Sequence, residues 1–456
     1  MKPLVPANQA AQAESAGRVP FAFGRRFFFL LLLGVAWIAP AWRQPRFLLA
    51  MLAWDLLILI LWAWDLLRMP RPSQLTVRRV WKSPLGLAQK APVTIEVANA
   101  SRVPISANIT DETADSVRLA RHGVELTAPA GQTGSASYSV EPHARGDAKF
   151  GDIWLRYGSS LRLAERWARA RLAQTVRVYP SLDEGQRMRI YLIRSRQIEL
   201  EKRLKRQRGQ GREFESLREY RAGDEFRDIS WSATARRGKL ITKLHQVERS
   251  QAVWLVLDAG RLLRARVKDL TKLDYAVNAA LALAQVALYS GDRVALLAYG
   301  RKPQQRVGPG RGVQHLRALI ESLAQVHAES YEADHILAAQ TLLSSQNQRS
   351  LIIWLTDIAE TAATPDVVEC TVAMTGRHLL VVGVMQQTEM RSLLQARPAN
   401  AHDMYRYSAA LEIVQRRELL LRQLRQQGAM VLEAAPSGLS TALANQYLEV
   451  KERALL

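Results

Sequence analysis

Two apolar runs with only Arg43, Gln44, Pro45 and Arg46 between them constrain this chain more than anything else in it. The first, FFFLLLLGVAWIAPAW, follows Arg25 and Arg26, and the second, FLLAMLAWDLLILILWAWDLL, runs from Phe47 to Leu67. The second has the length needed to cross roughly 30 Å of hydrocarbon as a helix. So short a link predicts a transmembrane helical hairpin over residues 21–70, with both ends on one side. Trp37, Trp42, Trp62 and Trp64 suit interfacial belts.

The basic residues orient the hairpin. Arg18, Arg25 and Arg26 precede it and Arg68, Arg71, Arg78, Arg79 and Lys82 follow it, while only Arg43 and Arg46 lie between. Positive charge stays inside, so both termini and the soluble parts are expected in the cytoplasm, on an inner (cytoplasmic) membrane. Ala39-Pro40-Ala41 loosely resembles a signal-peptide cleavage site, but a second span follows at once. Asp55 lies well inside that span, where a carboxylate costs about 2.5–3.5 kcal/mol, and is expected to face protein.

A chain of 456 residues has room for more than one domain, and its texture changes along its length. Residues 1–20 are polar, Ala-rich and expected to be disordered. Residues 71–182 carry short runs of period two, such as Val93, Ile95, Val97 and Ile153, Leu155, Tyr157, bounded by Asn, Gly, Pro or Ser. This predicts an all-β, sandwich-like domain of immunoglobulin type. Residues 183–211 are rich in Arg and Lys with Ile198, Leu200 and Leu204 at roughly helical intervals, and read as a basic linker helix, solvated or lying on anionic lipid. The lone Cys370 excludes an internal disulfide and sits in an apolar helical stretch as a small hydrophobe.

From Arg212 to Lys243 charged residues surround Tyr220, Phe226 and Trp231 without a core-like period. Gly223-Asp224 marks a turn, Asp224 is a good N-cap, and Phe226, Ile229 and Ala233 then fall on one helical face. Arg227 and Trp231, four apart, would stack guanidinium on indole. The stretch reads as strand, tight turn and short helix. Its work is either an ion-pair latch onto the following domain or a docking face for a partner; no Ser-His or Cys-His pairing suggests catalysis.

Beyond it, apolar strands alternate with helices: strands at Gln251–Asp258, Arg293–Tyr299, Ser350–Thr356, Leu379–Val384 and Met430–Leu432, with helices between them and a last helix at the end. Such alternation predicts a doubly wound α/β domain, a parallel sheet covered on both faces, with its site beyond the carboxyl ends of the strands. Two strands end there in carboxylates, Asp258 and Asp357, and Asp334 opens a helix nearby in sequence.

These residues carry a resemblance. Strand-Asp258 and strand-Thr356-Asp357 resemble the von Willebrand factor A-type fold, whose metal site uses Asp-x-Ser-x-Ser, a Thr and a distant Asp. Here Gly260 and Leu262 stand at the serine positions and offer no side-chain oxygen. Mg²⁺ wants near-octahedral oxygen ligation, so a degenerate metal site would rest on Asp258, Asp334 and Asp357, with Thr356. The pattern Arg218-Glu219-Tyr220, Gly223-Asp224, Arg227, Ile229, Trp231 and Arg236, followed by the strand to Asp258, resembles the DUF fifty-eight family, a domain of unknown function. The resemblance extends over nearly the whole chain, with residues 212–456 as signature plus A-type domain. It implies a MoxR-type AAA+ ATPase as partner, in chaperone-like maturation or envelope stress.

The net charge of +21 calls for an anionic partner, whether lipid, acidic protein or nucleic acid. Nucleic acid is not expected, because the basic residues are spread through all regions and aromatic interleaving is sparse. Together these features predict a membrane-anchored, non-enzymatic adaptor that meets a cytoplasmic ATPase. The competing expectation is a metal-dependent hydrolase using Asp258, Asp334 and Asp357, although His245, His315, His327 and His335 show no ligand or acid–base spacing.

Overall fold

A strand forms where disorder was expected. In the computed structural model Gln9–Ser15 (β1) lies within the first twenty residues, and Phe21–Phe23 (β2) follows it. Its Ala, Gln and Glu residues have no alternating apolar pattern of their own. Its partners impose the strand: Gln9 to Gln12 pair antiparallel with Arg79 to Thr76, and Ala13 to Ser15 with Ala170 to Ala168. The structure describes residues 5–17, 19–42, 44, 46–119, 123–181, 213–221, 226, 229–246, 251–358, 364–396, 398–453 and 455, in two compact units, Met1–Ser181 and Leu182–Leu456. The basic linker expected at 183–211 lies outside the described residues.

After β2 the chain leaves the β-rich unit in helices. Arg25–Gly34 (α1) gives way to a 3₁₀ turn, Val35–Trp37, and a short helix, Ile38–Ala41 (α2). The first apolar run is thus segmented: Pro40 has no amide to donate to the carbonyl four residues back. Arg46–Arg68 (α3) is continuous over 23 residues with mean hydropathy 2.2, long and apolar enough to cross a membrane. It packs against α1. Trp54 Nε1 donates to the Leu30 carbonyl at 3.0 Å, and a Cβ on Gly34 would come within 2.7 Å of Trp54 and 3.0 Å of the Asp55 carboxylate. Asp55 is half-buried against that helix, facing protein.

The end of α3 is fixed in the β-rich unit. Asp65 is buried and accepts from Ser159 Oγ at 2.6 Å and from the amides of Leu163 and Ala164. Strands then follow at Leu75–Trp81 (β3), Leu85–Gly86 (β4), Ala91–Asn99 (β5), Ile105–Asp111 (β6), Val117–Leu119 (β7), Val124–Ala128 (β8), Thr133–Pro142 (β9), Gly146–Phe150 (β10), Ile153–Gly158 (β11), Ala164–Ala170 (β12) and Gln174–Tyr179 (β13). Their order β7-β9-β5-β3-β1-β12-β11-β6-β8 runs through β1, which joins one sheet to the next; β10, β13 and β4 form a separate three-stranded sheet. The period-two residues Val93, Ile95, Val97, Ile153, Leu155 and Tyr157 share one core. Within it Arg79, fully buried, pairs with Asp111 and donates to the carbonyls of Leu172 and Gly151.

The second unit opens with a small hairpin, Glu213–Glu219 (β14) against Ile241–Gln246 (β15), that holds Trp231–Arg237 (α4) in its connection. A six-stranded sheet follows in the order β20-β19-β16-β21-β22-β23. Its strands are Ala252–Asp258 (β16), Arg293–Tyr299 (β19), Pro303–Gly310 (β20), Leu351–Leu355 (β21), Leu379–Met385 (β22) and Met430–Ala434 (β23), and a minor pair, Arg266–Val267 (β17) and Leu270–Thr271 (β18), precedes the first helix. All its pairings are parallel except the edge pair β19–β20.

Helices cover both faces. Lys272–Tyr289 (α5), Gly312–Gln325 (α6) and Leu439–Glu452 (α11) pack together on one; His335–Ser345 (α7), Thr364–Thr375 (α8) and Ala401–Gln426 (α10) lie on the other, with Thr388–Gln395 (α9) against α10. Every residue of β16 and β21 is buried, which explains their unbroken apolar sequences.

Candidate functional site

The strand order decides where the site lies. The chain moves outward from β16 to β19 and β20, then returns to lay β21 on the other side of β16, so the direction of winding reverses between β16 and β21. At such a switch point the loops diverge and leave a crevice beyond the carboxyl ends of the strands. Leu257 pairs in register with Leu355, so Asp258 and Thr356 leave the sheet side by side.

Every carboxylate oxygen there has a donor. Asp258 accepts from Thr356 Oγ1 at 2.6 Å on one oxygen and from the Gly260 amide at 2.7 Å on the other. Asp357 accepts from Lys272 Nζ at 2.5 Å on one, and from the Ile358 amide at 2.9 Å and Arg417 at 2.8 Å on the other. Arg417 also donates to the carbonyls of Ile358 at 2.7 Å and Met385 at 2.6 Å. Burial pushes the Asp258 carboxyl above the usual range, opposed by the nearby His335 and the Thr356 hydrogen bond. Nearby Trp354 Nε1 donates to Tyr299 Oη at 2.7 Å, and that hydroxyl lies 3.0 Å from His335 Nδ1, a buried hydrogen-bonded chain. Burial and the Asp258 charge hold the Tyr299 hydroxyl well above its ordinary value.

The structure places Asp258 and Asp357 side by side, and Asp334 closes a loop that packs against the same strand end, where its side chain caps a helix. Asp334 caps α7, accepting from the Leu337 amide at 2.8 Å. It lines a cleft of about 610 Å³ with Arg301, Lys302, Glu329, Glu332 and Ala333. Among the described residues no three His, Cys, Asp or Glu side chains gather as a metal site. The donor set does not fit a divalent ion: the Lys272 ammonium and the Arg417 guanidinium hold Asp357, and positions 260 and 262 lack oxygen.

Lys272 and Arg417 were not singled out from the sequence. One signal existed for Arg417: with Ala410, Leu421 and Leu424 it forms the buried stripe of α10, and a cation in such a stripe needs an acidic partner. Lys272 follows Thr271 at the start of α5 and gives no local sign of its role. Arg417 also fixes the height of α10, because its carbonyl partners end β22 and follow β21. The first part of α10, Ala401 to Arg416, precedes this anchor, with Ala410 buried on it. Met404 and Tyr405 are exposed on the same stretch.

The signature segment departs from its expected form. Ile229 bridges to Thr242 in extended conformation, and α4 starts only at Trp231 with Ser230 as N-cap. The face shared by Phe226, Ile229 and Ala233 is therefore not that of one helix: the Ser230 amide is taken by the Ile241 carbonyl, pulling the backbone into the hairpin instead. Gly223, Asp224 and Arg227 lie outside the described residues. Arg218 donates to the Glu219 carbonyl, Glu219 pairs with Lys239 at the surface, and Arg236 lies in the last turn of α4. Tyr220 lies 6.1 Å from Phe226, and Phe226 and Trp231 are 74% and 67% exposed.

Residues 216–403 match the family described as "Protein of unknown function DUF58". The matched segment starts in β14 and ends in the first turn of α10, so it contains the signature, Lys272 and both switch-point aspartates but not Arg417. The chain is 24% identical over 317 residues to the uncharacterized protein YeaD of Bacillus subtilis (strain 168), covering 68% of this chain and 76% of that one. It is 26% identical over 151 residues to the uncharacterized protein Rv1480 of Mycobacterium tuberculosis (strain ATCC 25618 / H37Rv), covering 33% of this chain, and the match spans about half, 48%, of that relative's length. Among solved structures it is similar to the conserved hypothetical protein BatB from Bacteroides thetaiotaomicron, with 11% identity, TM-score 0.29, and coverage of 44% of this chain and 98% of that one. Likeness this weak leaves the fold to rest on the chain's own topology.

Proposed function

We propose that this chain is a membrane-anchored, non-enzymatic adaptor that presents a von Willebrand factor A-like domain to a cytoplasmic AAA+ ATPase of the MoxR type. The observation that carries the non-enzymatic reading is that each oxygen of Asp258 and Asp357 is already engaged by a donor of the chain itself. Both carboxylates are also buried, away from any substrate in solution, and work there as acceptors that order the strand ends. The hydrolase reading needs Asp258, Asp334 and Asp357 around one ion, and among the described residues these carboxylates do not gather as a group that could hold one. The exposed Phe226 and Trp231, and Met404 and Tyr405 on α10, supply surfaces for a partner.

Topology supports a two-span anchor over a single span. β1 and β2 precede the apolar helices, β3 to β13 follow them, and both sets belong to one β-rich unit. A chain that leaves this unit and returns to it crosses a bilayer an even number of times. With the basic residues at both ends, the soluble units face the cytoplasm.

The test is affinity purification of the full chain from mild detergent, with and without nucleotide. The reading expects an ATPase whose retention depends on nucleotide and weakens in folded Arg227→Ala or Trp231→Ala variants. Recovery of the protein with no nucleotide-sensitive partner would sink it.

A further inference from the structure

At the switch point one acid, Asp357, meets two bases, Lys272 and Arg417, while its neighbour Asp258 is held by Thr356 and the Gly260 amide. We infer that Lys272 takes the place of the ion of an A-type site, making the crevice of this chain a metal-independent one held by a tethered cation.

The ammonium is part of a rigid element. Lys272 is the first residue of α5, Thr271 and Asp274 close a capping box on it, and its amide donates to the Ala265 carbonyl at 2.8 Å. Such a box fixes the entry of the helix and so the root of the side chain. The side chain is 13% exposed, and Nζ lies 2.5 Å from Asp357. Arg417 balances the other oxygen from α10, so two separate helices deliver positive charge to one carboxylate.

The ligand shell cannot be refilled simply. The position that would carry the first serine is Gly260, where an added Cβ would lie 2.8 Å from the Ala333 amide nitrogen and 3.0 Å from its Cβ. The loop between Glu329 and Asp334 is laced to this strand end: the Glu329 amide donates to the Ala259 carbonyl and the Arg261 amide to the Tyr331 carbonyl. Close packing of backbone on Gly260 thus accompanies loss of the oxygen ligand. A divalent ion entering beside Asp357 would face the ammonium and guanidinium at short range with too few oxygens to replace its hydration shell.

The experiment titrates Mn²⁺ into the full chain in detergent and follows bound ion by electron paramagnetic resonance, with thermal unfolding recorded in parallel. The wild type is expected to hold no stoichiometric Mn²⁺ and to unfold at the same temperature in Mn²⁺ and in chelator. Lys272→Gln, which offers an amide oxygen where the ammonium lay, is expected to bind Mn²⁺ at least tenfold more tightly than the wild type; Lys272→Met serves as the second variant if the first does not fold. One Mn²⁺ per wild-type chain, lost in Asp357→Asn, overturns the inference. So does a folded Lys272 variant that binds Mn²⁺ no better than the wild type.

Discussion

Ser159 donates a 2.6 Å hydrogen bond to Asp65, joining the turn between β11 and β12 to the last turn of the apolar helix α3. The amides of Leu163 and Ala164 close on the other oxygen at 3.2 and 3.1 Å. A carboxylate near a helix C-terminus opposes the helix dipole, so these donors are what hold it there. Asp65→Ala leaves buried donors without an acceptor, each costing about 1–3 kcal/mol, and we expect a loss of roughly 3 kcal/mol in reversible unfolding of the detergent-solubilised chain. Asp65→Asn should recover part of it. An unchanged midpoint would mean that α3 is not held by this contact.

Arg417→Met should be comparably severe. It removes a buried partner of Asp357 and vacates the Ile358 and Met385 carbonyls, and breaking a buried ion pair typically costs about 3–5 kcal/mol. Hydrogen exchange should rise first in the second half of α10 and in β23. Protection that survives there would show that α10 is clamped by its apolar stripe alone.

His378 should make the second unit sensitive to mild acid. It is buried beside Ser350, 3.1 Å from Nδ1, and burial followed by the Arg377 charge holds its pKa below the ordinary 6.5. The unfolded chain therefore takes up a proton that the folded one refuses. The stability contribution is present above pH 6.5 and is lost as pH falls from there toward the folded value. Unfolding midpoints of the wild type should drop between pH 7 and 5 more steeply than those of His378→Gln; parallel curves would exclude this histidine as the cause.

Cys370 should be inert. Burial pushes its thiol up to about 12, with Asp366 and Glu369 adding to the shift. At pH 8 a maleimide reagent should label it only after unfolding, because the thiolate is the nucleophile. The folded value stands above the unfolded 9.0, so the fold loses stability as pH rises through the window from 9 to about 12. Rapid labelling of the native chain would place the thiol at the surface.

What the sequence discloses and what it hides divide along physical lines. β16 and β21 are legible because a strand buried on both faces has to be apolar throughout, and the polar residue that ends such a run marks the sheet edge; Asp258, Thr356 and Asp357 follow from that alone. β1 is illegible because nothing in Gln9–Ser15 favours a strand until Arg79 and Ala170 lie on either side. β20 fails for the same reason: PQQRVGPG is an edge strand whose only sheet partner is β19. Lys272 escapes notice because its importance comes from a residue 85 positions away.

The placement of β1 has a consequence for biogenesis. This strand precedes both its partners in the chain, and one of them, β12, comes only after the apolar helices and most of the β-rich unit. It cannot take its place between β3 and β12 until β12 has been made. Closing the gap between β3 and β12 requires that Gln9–Ser15 lie on the side where those strands fold. A molecule that failed to seat this segment would leave edges bare on β3 and on the second half of β12.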